Sequence, residues 1–411
     1  MDRQTGSLTD VFAQFHFSKR YGLLVACFLI MVLSFGAQFC FGVFFKPMLN
    51  EFGWTRAVTS VPFALNGILG GLLGILAGRL ADRLGPRIVV SIGGVVLGAG
   101  YLSTSQVTNL WQFSIFYGII AAAGFSAMYV PLVSMVTRWF PEKPGLVAGI
   151  GISGIGLGIG VIPVIASTLI EISHWRTAMM IVGVICLAGI LLLAQMLRTP
   201  PANTEKYSAH VEDHTEHYTF YEALKTPQLW MLCLAWFCYG FFHHAALVHI
   251  VPYGTDIGME STAAATVLTT IGVIGMPARI LLGLGGDKFG HKSVFLVAFS
   301  ACGLIYLGLN CFDSITMLYV FGVIFGLFSG AGVLAAPVAA EHFGAAALGP
   351  IIGTIIFANT LGGAISPVIA GQVFDMTGTY DIAFAVCGIA GITAAVTLGL
   401  LKIPEKMRSN H

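Results

Sequence analysis

Windows of about 20 apolar residues, the length that crosses a bilayer as a helix, recur along almost the whole chain. Twelve can be drawn, at roughly 21–45, 57–77, 88–107, 110–136, 145–170, 176–197, 228–254, 262–286, 293–311, 314–338, 349–372 and 381–402. Backbone groups in lipid must be satisfied within their own segment or in a closed barrel. Apolar runs this long and unalternating therefore predict an all-α membrane protein with twelve transmembrane helices. Composition agrees: 56% of residues are hydrophobic and 9% charged, against about 25% charged in soluble domains. A net charge of +1 argues against nucleic acid as a partner.

Positive charge sets the expected orientation. With the N-terminus inside, the inner segments hold Arg3, Lys19, Arg20, Arg79, Arg83, Arg87, Arg138, Lys143, Arg198, Lys206, Lys225, Lys288, Lys292, Lys402, Lys406 and Arg408. The outer side holds Lys46, Arg56 and Arg176, and Lys46 and Arg56 are expected as interface anchors near water. Both termini are thus expected in the cytoplasm, and no cleavable signal is expected before the first span. The expected divisions are a tail (1–20), a first six-helix bundle (21–197), a polar linker (198–226), a second bundle (227–403) and a short tail (404–411). His210, His214 and His217 with their acidic neighbours lie in the linker, which reads as a solvated connection rather than a metal site. The eight cysteines lack metal-ligand spacing and read as small apolar fillers.

One cation remains. Arg279 falls inside the eighth apolar window. A guanidinium there costs roughly 2.5–3.5 kcal/mol and needs a polar cavity, a partner, or a route to the interface near Gly286 and Asp287. At 100° per residue, Gly272, Gly275, Gly283 and Gly286 lie within about 40° of it. That small-residue strip leaves room for a close helix or a small anion. No carboxylate shares its depth, so the missing counter-charge can be the ligand. A carboxylate accepts a bidentate pair from a guanidinium; one cation suits a small organic monoanion.

Other polar and aromatic residues in the spans are candidates for the same cavity. Gln38 and Phe35 lie in span 1, Tyr117 in span 4, Tyr239 and His243 in span 7, Phe325 and Phe328 in span 10, and Asn359 in span 11. Gln38, Tyr117, Tyr239 and Asn359 can hydrogen-bond a hydroxyl or keto group, and the phenylalanines can wall an alkyl end. His243 and His244 are the candidates for carrying a proton.

The run Gly78-Arg79-Leu80-Ala81-Asp82-Arg83-Leu84-Gly85-Pro86-Arg87 separates spans 2 and 3, and Gly283-Leu284-Gly285-Gly286-Asp287-Lys288-Phe289-Gly290-His291-Lys292 separates spans 8 and 9. The second copy follows the first at an offset of half the chain, which predicts two similar six-helix halves. Both resemble the signature loop of the major facilitator superfamily, G-x-L-a-D-r-x-G-x-[KR]. The resemblance implies two pseudo-symmetric six-helix bundles rocking about a central site. Gly78, Asp82, Arg83, Gly85, Arg87, Asp287, Lys288 and Gly290 would latch the inner face.

A narrower resemblance follows Arg138-Trp139-Phe140-Pro141-Glu142-Lys143-Pro144-Gly145-Leu146-Val147-Ala148-Gly149, together with EFGWTRA at 51–57. These runs look like the monocarboxylate transporter family and its bacterial oxalate/formate-antiporter-like relatives. Those relatives usually have a basic residue where this chain has Pro144. The resemblance implies a carrier, not an enzyme, for lactate- or pyruvate-like monocarboxylates, with proton symport and no cofactor. Arg279 matches the arginine thought to hold the substrate carboxylate. Animal members also have an acid where this chain has Gly275 and a lysine where it has Phe39, both linked to proton coupling; here His243 or His244 would substitute. A carboxylate exchanger, or a carrier of an unrelated solute with Arg279 structural, are the alternatives. The expected location is a bacterial inner membrane; oligomeric state is not legible.

Overall fold

The computed structural model describes residues 8–140, 144–199, 218–311, 314–344 and 347–402. Most of the linker, its histidines included, and the last residues lie outside these. Among the described residues twelve helices are long and apolar enough to cross a membrane: Arg20–Phe52, Arg56–Leu84, Pro86–Thr104, Leu110–Trp139, Gly145–Ile172, Trp175–Ala194, Pro227–Asp256, Ser261–Phe289, His291–Leu309, Ile315–Phe343, Leu348–Thr377 and Asp381–Leu400. They are spans 1 to 12 below. Several outrun their apolar windows, because polar residues at their ends continue the helical hydrogen bonding.

The two halves repeat each other in detail. Span 1 packs on span 5 and span 3 on span 6; likewise span 7 packs on span 11 and span 9 on span 12. Gly85 and Gly290, which hold the same place in the two signature runs, both have positive φ (87° and 85°). That backbone region suits glycine alone among common residues, and it turns the chain between spans 2 and 3 and between spans 8 and 9. The preceding signature residues, Gly78 to Leu84, are helical rather than loop. Spans 4 and 10 are each interrupted. Span 4 contains a π-helical stretch, Ser114–Ala121, and restarts as the helix Val130–Trp139. Span 10 passes through a 3₁₀ turn, Gly330–Leu334, and restarts as Ala335–Phe343. The two restarts keep the offset of the signature runs. Breaks at corresponding positions of two halves free backbone groups and small residues at the same depth of each bundle.

Glycine sets how closely helices approach. A Cβ at Gly362 of span 11 would lie 2.0 Å from the Phe237 carbonyl oxygen of span 7, and one at Gly240 of span 7 would lie 2.0 Å from the Asn359 carbonyl oxygen. Gly362→Val is expected to cost about 3 kcal/mol by overpacking. This should appear as a lower thermal midpoint of the detergent-solubilised protein. Gly353→Val, where a Cβ meets nothing within 4 Å, should leave the midpoint in place.

The halves meet through spans 5 and 8 and through spans 2 and 11. Their polar cross-ties gather at one end, opposite the signature turns. There Glu171 accepts from the Thr262 hydroxyl (2.6 Å), and Lys46 and Arg56 pair with Asp256 (2.5 and 2.8 Å). At the signature end a Cβ on Gly145, Gly149, Gly283, Gly349 or Gly353 would meet nothing within 4 Å. The halves are therefore tied together at the latched end, and these glycines at the signature end face open space.

Arg56 departs from the expected interface anchor. It is only 7% exposed, because an acid, a phenol and a ring from the other half enclose it. The signature residues keep to their own halves. Asp82 pairs with Arg138 (2.9 Å), a half-exposed pair worth little on its own. Gly78 packs under Val130. Arg87 donates to Gln195, and Arg83 is exposed. Asp287 lies 3.5 Å from His291, which also pairs with Glu341, and Lys288 sits over Phe289.

Candidate functional site

A buried polar atom without a partner costs about 1–3 kcal/mol and requires an explanation. Four buried side-chain atoms have no protein partner among the described residues: His243 Nδ1, Arg279 Nη1, Asn359 Oδ1 and Ser366 Oγ. Three belong to residues that the sequence had put forward. Of these three, only the Arg279 guanidinium can receive an anion; Asn359 Oδ1 accepts a hydrogen bond, and His243 Nδ1 can take a proton or accept a hydrogen bond.

Arg279 is positioned by absent side chains. A Cβ at Gly330, in the break of span 10, would lie 2.9 Å from Arg279 Cγ; one at Gly156 of span 5 would lie 3.1 Å from Nη1. The stem thus runs past one glycine and the guanidinium rests against another, in the opposite half. It does not turn to the interface near Asp287. No carboxylate pairs with it among the described residues. Within its electrostatic range are the phenols of Tyr239 and Tyr129 and the ring of His243.

Span 7 supplies the next wall. The Tyr239 hydroxyl donates to the Ser329 carbonyl (2.9 Å), and its ring stacks on Phe299 (5.4 Å). The His243 ring lies 5.2 Å from Tyr239 and stacks on Phe325 at 5.7 Å. His244 points elsewhere: its Nδ1 lies 3.1 Å from the Gly240 carbonyl. A carbonyl only accepts, so Nδ1 carries the hydrogen and Nε2 is the open acceptor. The His244 ring faces Phe39 and Phe63 of the first half at 6.2 and 6.3 Å. Asn359 presses its backbone oxygen and Oδ1 toward Gly240.

Tyr239, His243, Arg279 and Phe325 are thereby brought together on the second half, while Asn359 packs against Gly240 of span 7. Phe35 stands on the first half, against Phe125 (4.7 Å) and Tyr129 (6.1 Å). Phe328 is half-buried against the core. Gln38 and Tyr117 are occupied within the first half. Gln38 Nε2 donates to Asn66 Oδ1 (3.2 Å), Asn66 Nδ2 donates to the Tyr117 carbonyl (2.8 Å), and the Tyr117 hydroxyl donates to the Gln38 carbonyl (3.2 Å). Tyr117 is 1% exposed behind Phe41 and Phe113.

Tyr129 is the residue that sequence reasoning passed over. It ends the break of span 4, immediately before Val130 and Pro131, and brings a phenol from the first half toward Arg279. The signal for it was Pro131 behind a run of small residues, at the position matching the break in span 10.

A sequence model described as the Major Facilitator Superfamily matches residues 27–315 and 285–411. The chain belongs to the major facilitator superfamily. It is a multi-pass membrane transporter rather than an enzyme. Monocarboxylate transporter 12 of Rattus norvegicus is 27% identical over 94% of this chain and 86% of its own length. The oxalate:formate antiporter of Oxalobacter formigenes is 26% identical over 72% of this chain and 69% of its own. Among solved structures, an inward-facing bacterial homolog of the human lysosomal transporter Spinster superposes with a TM-score of 0.70 at 17% identity, covering 93% of this chain and 95% of that one. At that identity the likeness carries the fold alone. This major facilitator chain is thus related in sequence to monocarboxylate transporters and to an oxalate:formate antiporter.

Proposed function

We propose that this protein carries small monocarboxylates of the lactate or pyruvate class by alternating access, together with a proton. The observation that supports this reading is the buried Arg279 Nη1, unpaired and with no carboxylate beside it. A substrate carboxylate would supply the missing charge as a bidentate acceptor. The Tyr239 oxygen, whose hydrogen goes to the Ser329 carbonyl, and Asn359 Oδ1 would accept from a hydroxyl, Tyr129 would donate to a keto oxygen, and Phe35, Phe325 and Phe328 would wall an alkyl end. A dianion would call for a second cation, and none joins Arg279 among the described residues. His243 Nδ1 and His244 Nε2 are basic atoms that can take a proton with the anion, so the loaded site need carry no net added charge. In this reading residues 21–197 and 227–403 form the two rocking units, both termini are cytoplasmic, and the carrier sits in a bacterial inner membrane.

The relative from Oxalobacter formigenes favours a second reading, carboxylate exchange. Uptake of labelled L-lactate into proteoliposomes separates the two. Stimulation by an inward proton gradient is expected. Uptake that instead requires a carboxylate inside the vesicle would assign exchange. No uptake or competition by any small carboxylate would overturn both readings.

A further inference from the structure

The latched end contains a hydrogen-bond chain whose direction can be worked out, and a buried histidine completes it. Arg56 Nη1 donates to the Tyr380 hydroxyl (2.5 Å). That hydroxyl lies 2.9 Å from His249 Nδ1, and His249 Nε2 lies 2.8 Å from the Pro367 carbonyl. Pro367 O can only accept, so Nε2 carries the hydrogen. Tyr380 O accepts from Arg56, so its own hydrogen goes to Nδ1. The chain runs Arg56, Tyr380, His249, Pro367, from the first half into the second, and only an unprotonated Nδ1 allows it. His249 is 0% exposed and Tyr380 2%.

The charges facing His249 balance without it. Span 1 contributes Lys46 and span 2 Arg56. The C-terminal end of span 7 contributes Asp256, and that of span 11 contributes Asp375. Lys46 and Arg56 share Asp256, while Asp375 accepts the backbone N–H groups of Arg56 and Ala57 at 2.9 and 2.8 Å. The remaining neighbours are neutral: Phe45, Tyr380 and, beyond it, Tyr253. A proton on Nδ1 would aim two donors, Arg56 and His249, at one hydroxyl oxygen and strand the hydroxyl hydrogen. It would also add one uncompensated charge at a buried ring beside a partly buried cluster; that cost falls on the closed seam and favours an arrangement in which the imidazolium meets water.

We propose that His249 is a proton-binding site built into the seam between the two halves, and that its protonation opens this end of the carrier. This rests on the reading of the protein as an alternating-access, proton-linked carrier, but not on which anion it carries. The site differs from His243 and His244: it binds no anion and acts on the seam.

The test measures the seam directly. Spin labels at Gln106→Cys and Ile315→Cys, in a Cys311→Ser background, report the separation of the halves at this end in full-length protein reconstituted in lipid. Measurements at about pH 8 and about pH 5 bracket an unperturbed histidine. The wild-type seam should give one short distance at the higher pH and gain a longer-distance population at the lower. His249→Gln can still donate to Pro367 O and accept from Tyr380, but takes no proton, and should stay short at both. Should the glutamine variant not fold, Tyr380→Phe severs the chain and should give the longer population at both. A wild-type distance indifferent to pH, or a pH-switched distance kept in either variant, overturns the proposal. The readout needs no substrate, so it stands or falls apart from lactate uptake, which tests the carboxylate reading.

Discussion

Arg279→Ala is expected to abolish measurable lactate uptake while leaving the protein at least as heat-stable as the wild type. Both halves of that result follow from the environment. Removing one partner of a buried, hydrogen-bonded charge pair costs about 2–5 kcal/mol, or roughly thirty- to several-thousand-fold in affinity. If the substrate is the partner, the loss falls on transport. Arg279 has a buried nitrogen with no protein partner, which is destabilising, so its removal relieves the fold. A structural arginine would behave in the opposite way, with the melting temperature falling and uptake dropping only as far as the folded fraction. Arg279→Lys keeps the charge but loses the planar fork and should retain weak uptake with a raised half-saturation concentration. Wild-type uptake in the alanine variant would remove the central residue of the proposed mechanism.

The second large effect is expected from Arg56→Ala at the latched end. This side chain bonds Asp256 and Tyr380 and lies 3.5 Å from the centroid of the Phe374 ring. Breaking a buried ion pair by removing one partner costs about 3–5 kcal/mol. Here the cost falls on the closed state, because these partners belong to opposite halves and separate when this end opens. The balance between the two ends should therefore move by a factor of about a hundred or more. Labels across the seam would show the opened distance at neutral pH. Arg176→Ala supplies the contrast. Its pair with Glu51 (2.6 Å) lies within the first half, so the seam distance should not move. A closed seam in Arg56→Ala would show that the contacts between spans 5 and 8 hold this end without it.

Much of the architecture is a local property of the chain. Apolar length decides which segments cross a membrane, lysine and arginine mark one face, and a signature run that recurs half a chain later declares the duplication. Arg279 stood out because a lone cation in an apolar run is costly wherever its helix packs. Its surroundings were less legible. Gln38 looked like a cavity residue by helical phase, but Asn66 and Tyr117 occupy it within its own half. Arg56 looked like an interface anchor because its local sequence is polar; its burial is made by Asp375 and Tyr380, from the far end of the other half. Tyr129, within electrostatic range of Arg279, lies past the break of span 4, and a regular 100° projection carries no information past a break. Each miss required a contact between distant segments rather than a pattern along one.

The nearest approach of spans 5 and 8 has a mechanical consequence. A Cβ at Gly272 would lie 2.2 Å from the Gly156 carbonyl oxygen, and the same Gly156 borders Arg279 Nη1. The bearing on which two rigid halves can turn is thus next to the charge that would hold the cargo. Points close to a fulcrum sweep short arcs while the far ends of the levers sweep long ones. In a rocking cycle of the kind proposed, the ends of the helices would part and close while the guanidinium hardly shifted, so a bound anion would keep its partner in mid-stroke. In the proposed cycle, cargo and pivot would share one address, and the protein would swap the side it faces without loosening its grip.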